Sequence, residues 1–185
     1  MLALRNSKPL SELDSKSLEI NARLLELPEV RNSHTISAYL HTGSEVRTKA
    51  VVDWALSNGK RLIVPISDRA NKFLVFSEIK SPELELKKGS YGILEPKEEF
   101  RRPVPLEEAD LILVPGVAWD KSGYRVGYGA GYYDRSVNAL RKPVLMIGLA
   151  YEFQVVPRAP RSRYDRRVDK IATERRIIDT KFLPG

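Results

Sequence analysis

The chain predicts an α/β fold, a three-layer α/β/α, Rossmann-like domain with a mixed, mainly parallel sheet. Three observations predict it. Helical and extended patterns alternate through the first third of the chain. Two short apolar runs, Leu111 to Val114 and Val144 to Leu149, have the unbroken character of strands buried on both faces. Between those runs stand a glycine-rich loop and a helical pattern, which together make a strand, loop, helix, strand unit. In such a fold the ligand crevice forms outside the carboxyl ends of the strands.

Each element follows from local chemistry. Residues 11 to 27 place Leu13, Ile20, Leu24 and Leu27 at helical spacing, with Ser11 as a cap and Pro28 as a stop. Thr35 to Leu40 reads as a buried strand. Thr48 caps a second helix carrying Val51, Val52, Ala55 and Leu56, which Asn58-Gly59 ends. Arg61 to Ile66 is the next strand. Phe73 to Ile79 and the shorter Tyr91 to Leu94 alternate apolar with polar residues and are expected as antiparallel additions. Tyr132, Tyr133, Val137 and Leu140 recur on one side of the helix that follows the glycine loop.

A length of 185 residues with 42% hydrophobic and 30% charged content suits one globular domain over 1–185. Residues 1 to 15 carry Arg5, Lys8, Glu12 and Asp14, and no run of about 18 apolar residues occurs, so a soluble, cytoplasmic protein with no membrane span is expected. The absence of cysteine excludes disulfides, thiol nucleophiles and thiolate metal sites. His34 and His41 are too few for a histidine-built zinc centre, which leaves a hard, oxygen-liganded ion. The net charge of +7 points to an anionic partner, and nucleic acid and polyphosphorylated small molecules both fit. Positions 151 to 185 hold nine Lys or Arg against five Asp or Glu, centred on Arg158, Arg161, Arg163, Arg166 and Arg167. A solvated basic face is the plainer reading of these arginines.

The chemistry concentrates in Gly123-Tyr124-Arg125-Val126-Gly127-Tyr128-Gly129-Ala130-Gly131-Tyr132-Tyr133-Asp134. Glycines at 127, 129 and 131 leave main-chain amides unshielded, just before a helix start where unpaired N–H groups favour an anion. A Walker loop would end in Gly-Lys-Ser/Thr, and a dinucleotide fingerprint would read G-x-G-x-x-G straight after a strand; neither is present. A turn that merely lets backbone segments pass closely remains the alternative. Arg125, able to fork onto phosphate oxygens, and Asp134, able to hold magnesium, favour a phosphate cradle.

These residues resemble the 5-formyltetrahydrofolate cyclo-ligase family, from about Ala3 to Ile178. The most specific part is Leu111-Ile112-Leu113-Val114-Pro115-Gly116-Val117-Ala118-Trp119-Asp120, then Gly123-Tyr124-Arg125 and the loop to Arg135. Gly43-Ser44-Glu45-Val46, Gly59-Lys60-Arg61, Tyr91-Gly92-Ile93-Leu94-Glu95-Pro96 and Val168-Asp169-Lys170-Ile171 match in the family's order. The resemblance implies a CoA-transferase-like variant of the α/β fold. It also implies ATP-driven, magnesium-dependent closure of 5-formyltetrahydrofolate, with or without a polyglutamate tail, to 5,10-methenyltetrahydrofolate, releasing ADP and phosphate.

By the same resemblance, Arg125, Val126, Gly127, Tyr128, Gly129, Ala130, Gly131, Tyr132 and Tyr133 form the ATP cradle, and Tyr128 to Tyr132 also face the folate. Asp134 and Asp169 are the implied magnesium ligands. Glu45 is implied beside the formyl-bearing nitrogen and Leu40 as an apolar folate contact, so Glu45, Arg125 and Tyr132 are the expected catalytic set. The plainer readings are a solvated acid for Glu45, a first-turn charge for Asp134, a turn residue for Asp169 and core for Leu40. Met1 to Arg5 matches only the end of the family's first helix, whose Lys and Arg reach the phosphates, so Arg5 is expected to join the phosphate ligands. Arg47 stands where the family commonly has an acid, and Ala130 where Gly or Lys is frequent. A monomer or weak oligomer is expected. The rival reading is a non-catalytic nucleotide- or RNA-binding protein contacting its partner through Arg158 to Arg167. An enzyme acting on phosphorylated sugars would share the architecture but gives Gly131-Tyr132-Tyr133-Asp134 no role.

Overall fold

The structure, a computed structural model, describes residues 1–68, 70–89 and 92–181. Its elements in chain order are α1 (Leu2–Asn6), α2 (Leu10–Glu26), α3 (Pro28–Asn32), β1 (Thr35–Ser37), α4 (Lys49–Ser57), β2 (Arg61–Asp68), β3 (Phe73–Ile79), α5 (Pro82–Glu85), β4 (Leu86–Lys88) and β5 (Leu94–Pro96). They continue with β6 (Leu111–Val114), β7 (Ala118–Asp120), β8 (Arg125–Val126), α6 (Tyr132–Asn138), β9 (Leu145–Leu149), β10 (Val155–Val156), β11 (Lys170–Ala172) and β12 (Ile177–Asp179). A seven-stranded sheet runs in the order β12-β11-β9-β6-β1-β2-β3. Its five inner strands are parallel, and both edge strands are antiparallel. The mixed, mainly parallel α/β sheet is the one the sequence predicts.

Alternation along the inner strands divides the core. Leu111, Leu113, Ile147 and Leu149 face one side, where Leu13, Ile20 and Leu24 of α2 and Val51, Val52 and Ala55 of α4 pack on them. Ile112, Val114, Met146 and Ala150 face the other, under Val137 of α6 and Trp119 of β7. Each fully buried Leu or Ile contributes about 1.5–3 kcal/mol relative to an exposed one, so α2 is held by its stripe more than by its caps. Neither expected cap forms. Pro9 precedes α2 with no side-chain bond, and the Thr48 hydroxyl donates to the Tyr39 carbonyl at 2.7 Å rather than to the first turn of α4.

Several expected boundaries move. The first strand ends at Ser37, not Leu40, because the chain leaves the sheet there to enter the crevice loop. The Tyr91 to Leu94 strand becomes Leu94–Pro96, paired with β4 in a separate ribbon, and Tyr91 itself lies outside the described residues. A three-stranded sheet, β10-β7-β8, has no counterpart in the periodicity reading. Its anchor is Trp119, fully buried against two glycines: a Cβ on Gly148 would lie 2.5 Å from its ring, and one on Gly116 would lie 2.6 Å away. No helix among the described residues is long and apolar enough to cross a membrane.

Gly148→Ala should therefore lower stability by about 1–3 kcal/mol through overpacking against a ring with no room to withdraw. Denaturant unfolding checks this; a stability equal to the parent's would show that the slot yields.

Candidate active site

Strand order reverses at β1. β2 lies on one side of it, while β6, β9 and β11 follow on the other, so the loops leaving β1 and β6 diverge and open a crevice. The β1 loop folds into a tight turn in which Gly43 takes φ 54° and Glu45 N–H donates to the Thr42 carbonyl at 3.1 Å. Glu45 is thereby turned inward and is 7% exposed. Its Oε2 accepts the Thr42 N–H at 3.0 Å, and its Oε1 accepts the Tyr128 hydroxyl at 3.0 Å. Burial pushes the Glu45 carboxyl above the usual range, opposed by these two hydrogen bonds and by the charges of Arg5 and Arg47. The solvated-acid reading of Glu45 is thus ruled out by its burial. Leu40, half-buried, packs at the margin of the α2 side of the core.

Arg5 is a correction. Expected on phosphate oxygens, it is 2% exposed, with Nε donating to Ser44 at 2.9 Å, Nη1 to the Gly116 carbonyl at 3.2 Å and Nη2 to the Tyr128 hydroxyl at 2.5 Å. It joins α1 to the loops after β1 and β6 and to the glycine loop. Arg47 pairs with Asp14 at 2.8 Å and donates to the Glu45 carbonyl at 3.0 Å, so it clamps the Gly43 to Glu45 turn from outside.

The glycine loop itself is open. Gly127, Tyr128, Gly129 and Ala130 are exposed, with Gly131 and Tyr132 half-buried. The main-chain N–H groups of Tyr128, Gly129, Ala130 and Gly131 donate to no acceptor among the described residues. Gly129 and Gly131 adopt φ 90° and 64°, which only glycine tolerates freely. Gly127 needs no such conformation, and a Cβ there would meet nothing within 4 Å. Val126 is tied to β7 through its carbonyl, which accepts from Val117 at 2.8 Å. Tyr132 packs on the α6 side of the core with the Arg135 guanidinium 5.6 Å from its ring. Desolvation, with the nearby Glu45 charge, drives the Tyr133 phenol far above its ordinary pKa, so it stays protonated.

Arg125 is also turned inward rather than presented to a ligand. Its guanidinium lies 6.0 Å from the rings of both Trp119 and Tyr133, donates to Asp134 Oδ1 at 2.8 Å and reaches the Arg166 carbonyl at 3.3 Å. The Arg166 N–H donates to the same Asp134 oxygen at 3.2 Å, which fastens the arginine-rich loop to the start of α6. Arg161, exposed at the surface, pairs with the buried Asp120 at 3.1 Å and stacks 4.3 Å from the Tyr124 ring centroid.

Asp169, the other implied magnesium ligand, is held by a backbone amide and faced by a lysine. Its Oδ2 accepts the Met146 N–H at 2.9 Å and its Oδ1 faces Lys181 at 3.4 Å. Met146 is the second residue of β9, so Asp169 sits at the amino ends of β9 and β11. Among the described residues no group of three or more Asp, Glu, His or Cys is arranged to hold a metal.

The family model for 5-formyltetrahydrofolate cyclo-ligases matches residues 1–174. The chain belongs to the 5-formyltetrahydrofolate cyclo-ligase family. Among curated relatives of this cyclo-ligase family member, the 5-formyltetrahydrofolate cyclo-ligase of Haemophilus influenzae is 32% identical, with 79% of each chain covered. A probable 5-formyltetrahydrofolate cyclo-ligase of Schizosaccharomyces pombe is 30% identical over 90% of this chain and 87% of its own. Among solved structures, the 5,10-methenyltetrahydrofolate synthetase of Aquifex aeolicus superposes with a TM-score of 0.85 at 33% identity, covering all of this chain and 91% of that one.

Sequence reasoning missed Ser44, Tyr39 and Tyr151 as parts of the site's frame. Tyr39 donates to the Val46 carbonyl at 3.0 Å, and Tyr151 donates to the Glu45 carbonyl at 3.2 Å. Nothing in local spacing betrays a side chain that braces a distant loop.

A carboxyl whose pKa is raised on folding binds more protons folded than unfolded, so between the unfolded and folded values stability falls as pH rises. Glu45→Gln should therefore melt above the parent at pH 7, with the gain vanishing below the ordinary glutamate range. Thermal scans at both pH values check this, and a variant less stable at pH 7 would contradict it.

Proposed function

We propose that this family member converts 5-formyltetrahydrofolate to 5,10-methenyltetrahydrofolate in an ATP- and magnesium-dependent reaction that releases ADP and phosphate. The observation that carries the reading is the meeting, in one crevice, of an open row of unpaired amides and a buried carboxylate, joined by Tyr128. Backbone N–H groups suit phosphate oxygens, and a desolvated carboxylate suits proton transfer at a folate nitrogen.

The formyl oxygen is a poor leaving group, and ATP supplies a phosphoryl group that makes it a good one. The amides of residues 128 to 131 would hold the phosphates in line while charge develops. A neighbouring folate nitrogen then attacks the activated formyl carbon; Glu45 would take the proton that this nitrogen loses, and phosphate leaves as the carbon–nitrogen double bond forms. Leu40 and Tyr132 offer the apolar and aromatic surface for the pterin.

Asp134 fits a hard cation. One of its oxygens is committed to Arg125 and Arg166, and Oδ2 has no partner among the described residues. A single free carboxylate oxygen completed by phosphate oxygens and water is the usual way magnesium is held, and the ion would neutralise charge on the transferring phosphate. Asp169, three residues after the Arg166 amide that binds Asp134, is the second carboxylate proposed for the ion.

Purified protein with magnesium, ATP and 5-formyltetrahydrofolate should yield the ultraviolet-absorbing methenyl product, and no product at any ATP concentration would remove the reading. Asp134→Ala should lower turnover ~100-fold. Gly127→Ala should fold with unchanged stability, since its Cβ has space, yet raise the KM for ATP by roughly tenfold as a methyl enters the phosphate path. An unaltered KM would show that ligand does not approach that backbone.

A further inference from the structure

We propose that Tyr128 is the positioning residue for Glu45, its hydroxyl holding the carboxylate aligned and ionised while buried Arg5 holds the hydroxyl. The inference deepens the cyclo-ligase reading and rests on it. Tyr128 stands between two glycines on the open loop and is 59% exposed, so packing gives no reason for an aromatic residue there. Its hydroxyl is nonetheless fully engaged. A guanidinium can only donate, so Arg5 Nη2 gives the phenol oxygen a hydrogen bond at 2.5 Å and the phenol's single proton is left for Glu45 Oε1 at 3.0 Å.

Arg5 cannot follow the phenol if it moves, because Ser44 and the Gly116 carbonyl fix the other side of the guanidinium. The two oxygens of Glu45 are therefore each held by one donor, Thr42 N–H from its own loop and Tyr128 from the glycine loop. Other charged and titratable groups facing this carboxylate are Arg5 on α1, Tyr39 and Arg47 on the β1 loop, and Tyr133 on α6. Arg47 is occupied by Asp14 and by loop carbonyls, and Tyr39 by the Val46 carbonyl. Among the described residues Tyr128 is the one side chain that donates directly to Glu45. Burial opposes ionisation of Glu45, and the Tyr128 bond favours it. The loop offered to phosphate thus also carries the group that readies the base at the folate end.

The test is Tyr128→Phe, which keeps the exposed ring and removes only the hydroxyl, with its fold checked by thermal melting before assay. For the parent, kcat/KM should rise with pH through the ionisation of Glu45, and Glu45→Gln should abolish that limb. In Tyr128→Phe the limb should move to higher pH by about one unit, the worth of one hydrogen bond to a carboxylate, with kcat near neutral pH down roughly tenfold and the KM for ATP within about twofold. A limb that stays in place, whatever happens to kcat, overturns the proposal. Carbon-13 NMR titration of the Glu45 carboxyl in both proteins reads the same shift without turnover. If the parent makes no product, the cyclo-ligase reading fails; if the parent is active and the two titrations superpose, only the role of Tyr128 fails.

Discussion

A guanidinium sealed from water must find acceptors, and Arg5 finds them on three segments far apart in sequence: Ser44, Gly116 and Tyr128. No carboxylate touches it directly among the described residues; Glu45 lies one phenol away. An uncompensated charge in that position would be severely destabilising, so the helix at the start of the chain, both crevice loops and the glycine loop hold their places together or not at all. The crevice owes its shape to this shared requirement more than to any one strand.

A second constraint fixes the back of the site. Trp119 fills the groove made by Gly116 and Gly148, and on its other side the Arg125 guanidinium lies between its ring and that of Tyr133 while binding Asp134. The glycines consequently fall into separate classes. Gly116 and Gly148 make room for an indole; Gly129 and Gly131 permit left-handed backbone; Gly127 answers to neither need. Only the last class asks for something outside the chain to explain it.

The cations expected at phosphate, Arg5 and Arg125, illustrate how far a residue type can be read. Its place in the glycine motif marked Arg125 and the family resemblance marked Arg5, and both do border the loop. Whether a guanidinium faces a ligand or braces the loop that does depends on what surrounds it in space, and here each is enclosed. Asp169 is a carboxylate whose place no local motif gives: the parallel register of β9 with β11 sets it at the amino ends of those strands, where its Oδ2 accepts the Met146 N–H.

By itself the sequence determined the α/β class, the buried inner strands Leu111–Val114 and Leu145–Leu149, the open glycine loop and the family, because periodicity, β-branched runs and glycine spacing are local properties that survive without the fold. The three-stranded Trp119 sheet, the inward turn of Glu45, the Arg5 and Tyr128 contacts and the place of Asp169 at the strand ends were decided only by the tertiary structure. Each depends on segments tens of residues apart meeting with their polar groups satisfied, and no pattern along the chain encodes which distant acceptor a buried donor will reach.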